Sequence, residues 1–155
     1  MSSETVTELR SATQQDAAAI RDLVRAAYAK WVPVLGREPL PMQIEYGQAI
    51  GEHQFDLLHV DGAMIALIET MPRPDHLWIE NVAVRPDSQG KGWGRYLLAH
   101  AERQAAAAGL GDIRLLTNAV FEANIALYQK LGYRIDRQEA FRGGITVYMS
   151  KRLGR

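Results

Sequence analysis

The chain has 155 residues, with 18 basic and 18 acidic side chains and so no net charge; 47% of it is apolar and 23% charged, the composition of one folded domain with its own core. Balanced charge argues against a main task in nucleic-acid binding, which needs a basic excess, and no apolar run approaches the ~18 residues of a membrane helix. Without cysteine there is no disulfide, no thiol nucleophile and no cysteine zinc site.

Met1 to Asp16 is polar and acidic, unlike a signal peptide, so an intracellular, cytoplasmic location is expected. Thr13 followed three residues on by Asp16 reads as a helix start. Ile20, Leu23, Val24, Ala27 and Tyr28 recur at helical spacing, which predicts a helix over about 14–29. Trp31 to Met42 holds Pro33, Gly36, Pro39 and Pro41 and is expected to be irregular. A short helix follows around Ile44 to Ile50. Phe55 to Val60 and Ala63 to Glu69 flank Asp61-Gly62, the sequence of a tight type I′ hairpin. Leu77 to Val84 predicts a strand and Arg95 to Ala108 a helix, with Leu97, Leu98, Ala101, Ala105 and Ala108 on its buried stripe and Gly109 as its C-cap. A strand at Ile113 to Thr117, a helix from Asn124 and a half-buried strand at Ile145 to Met149 complete the reading. The predicted order is α, α, β-hairpin, β, α, β, α, β, β. That is an α/β (α+β) single domain over 1–155, a mixed, mostly antiparallel twisted sheet with helices on both faces.

The most telling stretch is Val84-Arg85-Pro86-Asp87-Ser88-Gln89-Gly90-Lys91-Gly92-Trp93-Gly94-Arg95, between a strand and a helix. Three glycines there free the turn to take φ > 0, and N–H groups at a helix N-terminus make an anion cradle. Arg85, Lys91 and Arg95 add a local basic patch. A P-loop would need Ser or Thr after Lys91, where Gly92 stands. The dinucleotide pattern read from Gly90 finds Arg95 where its third glycine belongs. What remains is Gln-Gly-x-Gly-x-Gly. Downstream stands Asn124-Ile125-Ala126-Leu127-Tyr128-Gln129-Lys130-Leu131-Gly132-Tyr133.

The first motif resembles the coenzyme A pyrophosphate loop of the GNAT N-acetyltransferase superfamily. The second resembles its Asn-bearing helix with Leu-Tyr and a closing Gly-Tyr or Gly-Phe. The resemblance is close over about residues 76–152. It implies acetyl-coenzyme A as cosubstrate, with no metal, and direct transfer of the acetyl group to a primary amine. It implies that the main chain of Val82, Ala83 and Val84 pairs with the pantetheine arm and supplies an oxyanion donor. Gln89, Gly90, Lys91, Gly92, Trp93, Gly94 and Arg95 would wrap the pyrophosphate. Asn124 would cap its helix or bond the pantetheine; Phe121 holds the place where many relatives carry a second Asn.

Two side chains carry the expected chemistry. Tyr128 is the candidate acid for the leaving thiolate, because a phenol with a reference pKa of ~10 matches it in basicity; packing on an amphipathic helix is its other reading. Glu80 is the candidate base for the amine. Alternation puts it on one face with Trp78, Val82 and Val84, where apolar neighbours would desolvate it and raise its pKa. A solvent-facing strand residue or a structural ion pair is the alternative. The four histidines, His53, His59, His76 and His100, lack metal-ligand spacing. In the resembled fold the loops Trp31 to Met42 and Arg137 to Gly144 frame the acceptor, with Trp31, Arg37 and Glu38 as candidate contacts. The acceptor is a small-molecule amine or a peptide, and a homodimer is an expectation from the frequency of two-fold assemblies. A non-catalytic coenzyme A sensor on the same fold stays open; a small nucleotide-binding module is disfavoured, because neither Ser nor Thr follows Lys91 and no Mg²⁺-binding acid is in place.

Overall fold

The structure, a computed structural model, describes residues 5–154. The acidic start read from Met1 therefore lies partly outside the described residues. The strands follow the order β1-β2-β3-β4-β5-β7-β6 in a seven-stranded sheet. The chain divides into two compact units. One holds the chain up to Thr70 together with Asn81–Ala99, the other Met71–Glu80 with the chain from His100.

In the first unit, β1 (Thr7–Ser11) pairs antiparallel with β2 (Gln54–Val60), which pairs antiparallel with β3 (Ala63–Pro72). The β2–β3 turn is the expected one: Asp61 and Gly62 both take positive φ, 51° and 83°. The predicted order lacks β1. Leu9 is the one large apolar residue in Thr7–Ser11, and the strand is half exposed, so it shows no alternation to read. Thr13 and Asp16 form the expected capping box, which opens a short turn at Gln14–Asp16 and then α1 (Ala17–Tyr28). Ile20, Leu23, Val24 and Ala27 of α1 pack with Tyr46 and Ala49 of α3 (Tyr46–Glu52), Phe55 and Leu57 of β2, Leu67 of β3 and Ala83 of β4 (Leu77–Val84).

The segment expected to be irregular is mostly turned helix. Ala29–Trp31 continues α1 as a 3₁₀ turn, α2 spans Val32–Leu35, and Leu40–Gln43 forms another 3₁₀ turn. Pro33 sits in the first turn of α2, where its missing N–H is not needed, and Gly36 ends the helix at φ 72°. The prolines therefore start helical turns here instead of preventing them.

In the second unit, β4 begins a parallel ladder with β5 (Asp112–Asn118): Leu77 faces Ile113, Trp78 faces Arg114 and Ile79 faces Leu115. The ladder closes there, while β4 runs on to Val84. β5 pairs antiparallel with β7 (Gly144–Arg152), and β7 with β6 (Arg134–Phe141). The sheet is thus mixed, mostly antiparallel and flanked by helices, as expected. The predicted loop Arg137 to Gly144 is corrected. β6 runs through Phe141, and only Arg142 and Gly143, at φ 50° and 79°, make the turn. All eight residues of β6 are exposed, so no burial pattern marks it in the sequence. α4 (Trp93–Ala107) buries Leu97, Leu98, Ala101 and Ala105, whereas Ala108 is exposed beyond its end. Leu110 N donates to Ala105 O and Gly109 N to Ala106 O, a Schellman close with Gly109 at φ 74°.

Candidate active site

β4 delivers the glycine loop. Leu77, Ile79, Asn81 and Ala83 are buried, and the residues between them are more exposed, so the expected alternation holds. At its end Arg85 N donates to Ile65 O at 2.7 Å, which fixes the strand's exit against β3. Pro86–Ser88 makes one 3₁₀ turn, closed by Ser88 N donating to Arg85 O. The Gln89 side chain then folds back, its Nε2 donating to Val84 O at 2.9 Å.

Gly90 and Gly92 follow at φ 77° and 90°. These values favour glycine, and a Cβ at either would meet no atom within 4 Å, so conformation rather than space requires them. Gly94 differs from expectation. It lies inside α4, is absent from the positive-φ residues and needs no special backbone. Gly92 O accepts from Tyr96 N at 3.0 Å, so the N–H groups of Trp93, Gly94 and Arg95 are first-turn donors without intrahelical partners. They and the positive end of the helix dipole are what an anion would meet. The Trp93 ring packs edge-on to Tyr96 at 5.7 Å. Lys91 and Arg95 are exposed. Arg85 is drawn away from this basic patch, since its Nε donates to Asp87 Oδ1 at 2.6 Å and holds that carboxylate below its usual range.

One residue the sequence gave no sign of joins the loop. Lys30, in the turn after α1, donates from Nζ to Gln89 Oε1 at 2.9 Å. It stands far from Gln89 in the chain and belongs to neither motif. Asn81, beside Glu80, is the other: it is buried and accepts from the Tyr28 hydroxyl at 2.7 Å.

In the second unit, Tyr128 sits on α5 (Glu122–Lys130) with its ring 5.7 Å from that of Tyr133, tilted by 55°. Burial pushes its phenol up to about 12, so it stays protonated across the neutral range. Burial, and the nearby Glu102 carboxylate, also push the Tyr133 phenol up. Asn124 is corrected as a cap: α5 begins at Glu122 with Phe121 at the N-cap, and Asn124 is exposed within the first turn. The turn into α5 is instead made by Asn118, whose Oδ1 accepts from Val120 N at 3.0 Å and whose O accepts from Phe121 N. Glu80 also departs from expectation. It is exposed, so the apolar neighbours on its face do not enclose it.

Of the candidate acceptor residues, Glu38 is engaged, receiving Arg25 Nη2 at 2.7 Å while Arg25 Nη1 donates to Met42 O. That pair ties Leu40–Gln43 to α1. Trp31 and Arg37 are partly buried. Two histidines face carboxylates, His53 with the buried Glu69 at 2.6 Å and His76 with Asp75 at 2.6 Å.

The range matched by the comparison with known families takes in the strand, the glycine turn, α4 and α5. The family described as Acetyltransferase (GNAT) matches residues 18–133. The chain belongs to the GNAT acetyltransferase family. Among curated proteins, the [ribosomal protein bS18]-alanine N-acetyltransferase of Salmonella typhimurium (strain LT2) is 37% identical over 84 residues, 54% of this chain and 57% of that protein. Its Escherichia coli K12 counterpart is 37% identical over 73 residues, 47% of this chain and 49% of that one. The chain thus spans about half the length of the curated relatives it matches. Among solved structures, the E. coli ribosomal-protein-S18-alanine N-acetyltransferase superposes with a TM-score of 0.80 at 23% identity, over 97% of this chain and 96% of that one. The paiA N-acetyltransferase of Thermoplasma acidophilum, in complex with coenzyme A, gives 0.81 at 17% over 95% and 99%. At these identities the likeness shows a shared GNAT fold. No helix among the described residues is long and apolar enough to cross a membrane.

Proposed function

We propose that this GNAT protein is an acetyl-coenzyme A-dependent N-acetyltransferase. The observation that carries the reading is the turn from β4 into α4, where Gly90 and Gly92 at positive φ lead to first-turn N–H groups that have no intrahelical partner. Gln89 to Arg95 bind the pyrophosphate. The β5 ladder on β4 closes at Ile79, and the main chain of Val82, Ala83 and Val84 beyond it takes the pantetheine arm. Asn124, exposed on α5, remains available to contact that arm.

The reaction needs no enzyme-bound intermediate. The acceptor amine attacks the thioester carbonyl carbon, a main-chain N–H of β4 stabilises the oxyanion, the C–S bond breaks, and the thiolate takes a proton. Tyr128 donates that proton. Its raised pKa keeps the phenol protonated at neutral pH, and a thiolate formed in similarly desolvated surroundings would be raised in basicity to match. Glu80 receives the amine's proton, directly or through water. Exposure suits it to meet an incoming cationic amine, which it would attract before deprotonating it. The acceptor is a primary amine, either a small molecule or a peptide. The names of the bS18-alanine N-acetyltransferases support an alanine of a protein as the acceptor. A single domain over 1–155, a cytoplasmic location, the absence of a metal and a homodimer complete the reading.

Acetylation of a library of small amines and N-terminal peptides, followed by release of free thiol, tests it. Turnover of one acceptor class is the expected result. Coenzyme binding without turnover of any amine favours the second reading, a coenzyme A sensor. That reading is less favoured because a pure binder needs neither Tyr128 nor Glu80.

A further inference from the structure

We infer that Lys30 is a further coenzyme-binding residue, pairing through its ammonium with the diphosphate held at the glycine loop. The inference rests on the reading of Gln89–Arg95 as a coenzyme A site. Lys30 lies in the turn Ala29–Trp31, outside both family motifs, yet its Nζ is 2.9 Å from Gln89 Oε1. Gln89 cannot turn away freely. Its Nε2 is engaged by Val84 O at 2.9 Å, which leaves its Oε1 facing Lys30. The two bonds run as one line, from the cation through the Gln89 carboxamide to the last carbonyl of β4. They place a positive charge next to Gly90, the first loop residue at positive φ.

Charge compensation separates Lys30 from the neighbouring arginines. Arg25 pairs with Glu38 at 2.7 Å and Arg85 with Asp87 at 2.6 Å. Among the described residues, the partners of Lys30 are the neutral Gln89 amide and the face of Trp31, 5.4 Å from its ring centre. Neither neutralises it. An ammonium has three N–H donors, so binding Gln89 leaves two for another acceptor. A diphosphate offers charge and oxygen acceptors together, and lysine binds phosphate as a compact point charge without a fixed approach geometry. With Lys91 and Arg95, the loop then presents three cations to the ligand, only two of which come from the motif.

The test uses the full chain with Lys30→Met, which keeps the aliphatic stem, and Lys30→Arg, which keeps the charge. Calorimetry measures binding of coenzyme A and of dephospho-coenzyme A. Kinetics with acetyl-pantetheine, which lacks the diphosphate, reads the thioester end alone. The expected result is a roughly 5-fold or greater rise in Kd for both coenzymes in Lys30→Met, shrinking as salt is added. Lys30→Arg keeps most of the affinity, and the KM for acetyl-pantetheine is unchanged in both variants. Unchanged coenzyme affinity in Lys30→Met overturns the inference, as does an equal loss with acetyl-pantetheine, which would make Lys30 a support for the end of β4 and not a diphosphate contact. Weaker binding of coenzyme A but not of dephospho-coenzyme A moves the contact to the 3′-phosphate and overturns the diphosphate assignment. Wild-type protein that binds neither coenzyme overturns the coenzyme reading of the loop itself, a result distinct from the other three.

Discussion

The Tyr28 hydroxyl donates to the Asn81 side-chain oxygen at 2.7 Å and so joins α1 to β4 one residue from Glu80. Asn81 is 5% exposed, and among the described residues its Nδ2 has no partner, so this bond is the anchor of the whole carboxamide. Tyr28→Phe keeps the ring and strands the buried oxygen. We expect a loss of about 1–3 kcal/mol, read from urea unfolding. A midpoint at the wild-type position would show that the bond contributes nothing net.

Gly92 and Gly94 are expected to respond in opposite ways. Gly92→Val forces a branched residue to φ 90°, which destabilises the fold by roughly 1–2 kcal/mol and disorders the anion cradle. Gly94 is ordinary helix, with open space where a Cβ would go. Gly94→Ala should raise stability by up to about 1 kcal/mol. Thermal unfolding with and without coenzyme A separates the cases. Equal destabilisation by both changes would contradict the backbone assignment of the loop.

Tyr128→Phe should leave coenzyme affinity nearly intact and lower kcat by roughly 10²-fold. The pH dependence follows from the raised pKa. Folding favours the protonated phenol, so its linked stabilisation is complete below the ordinary value of ~10 and fades as pH rises towards about 12. The wild-type kcat should accordingly show no loss from this group on the alkaline side of neutrality. Full activity in Tyr128→Phe, with a drop in melting temperature, would return Tyr128 to packing alone.

Glu80→Gln keeps shape and removes the base. If Glu80 takes the amine's proton, the variant binds both substrates and turns over slowly, and the acid limb of kcat/KM against pH shifts or vanishes. If the exposed carboxylate serves mainly to attract a cationic amine, KM for the acceptor rises with kcat little changed. Wild-type values for both constants would leave alignment and the oxyanion donor to carry the reaction.

Much of this arrangement was legible in the sequence because it depends on local conformation. Asp61-Gly62, Thr13 with Asp16, and Gly109 each act within their own few residues, and each is where its residue type predicted. The glycine loop was legible for the same reason, though Gly94 borrowed significance from its neighbours. What sequence could not show depends on distant partners or on exposure. Lys30 meets Gln89 only because α1 folds against β3 and β4. The Arg25–Glu38 pair likewise joins residues from different turns, which no local pattern announces. Glu80 looked enclosed because its neighbours in the strand are apolar, but whether a carboxylate is desolvated depends on what covers the sheet face.

The outermost strand, β6, bears on how the protein behaves when concentrated. An uncovered last strand usually invites another chain to continue the sheet. Here it carries Arg134, Asp136, Arg137 and Glu139, and its register against β7 slips between Ile135 and Arg137. A newcomer would have to strip water from those charges and follow a kinked template. This side of the molecule is therefore built to stay single, and self-association should be sought on other faces.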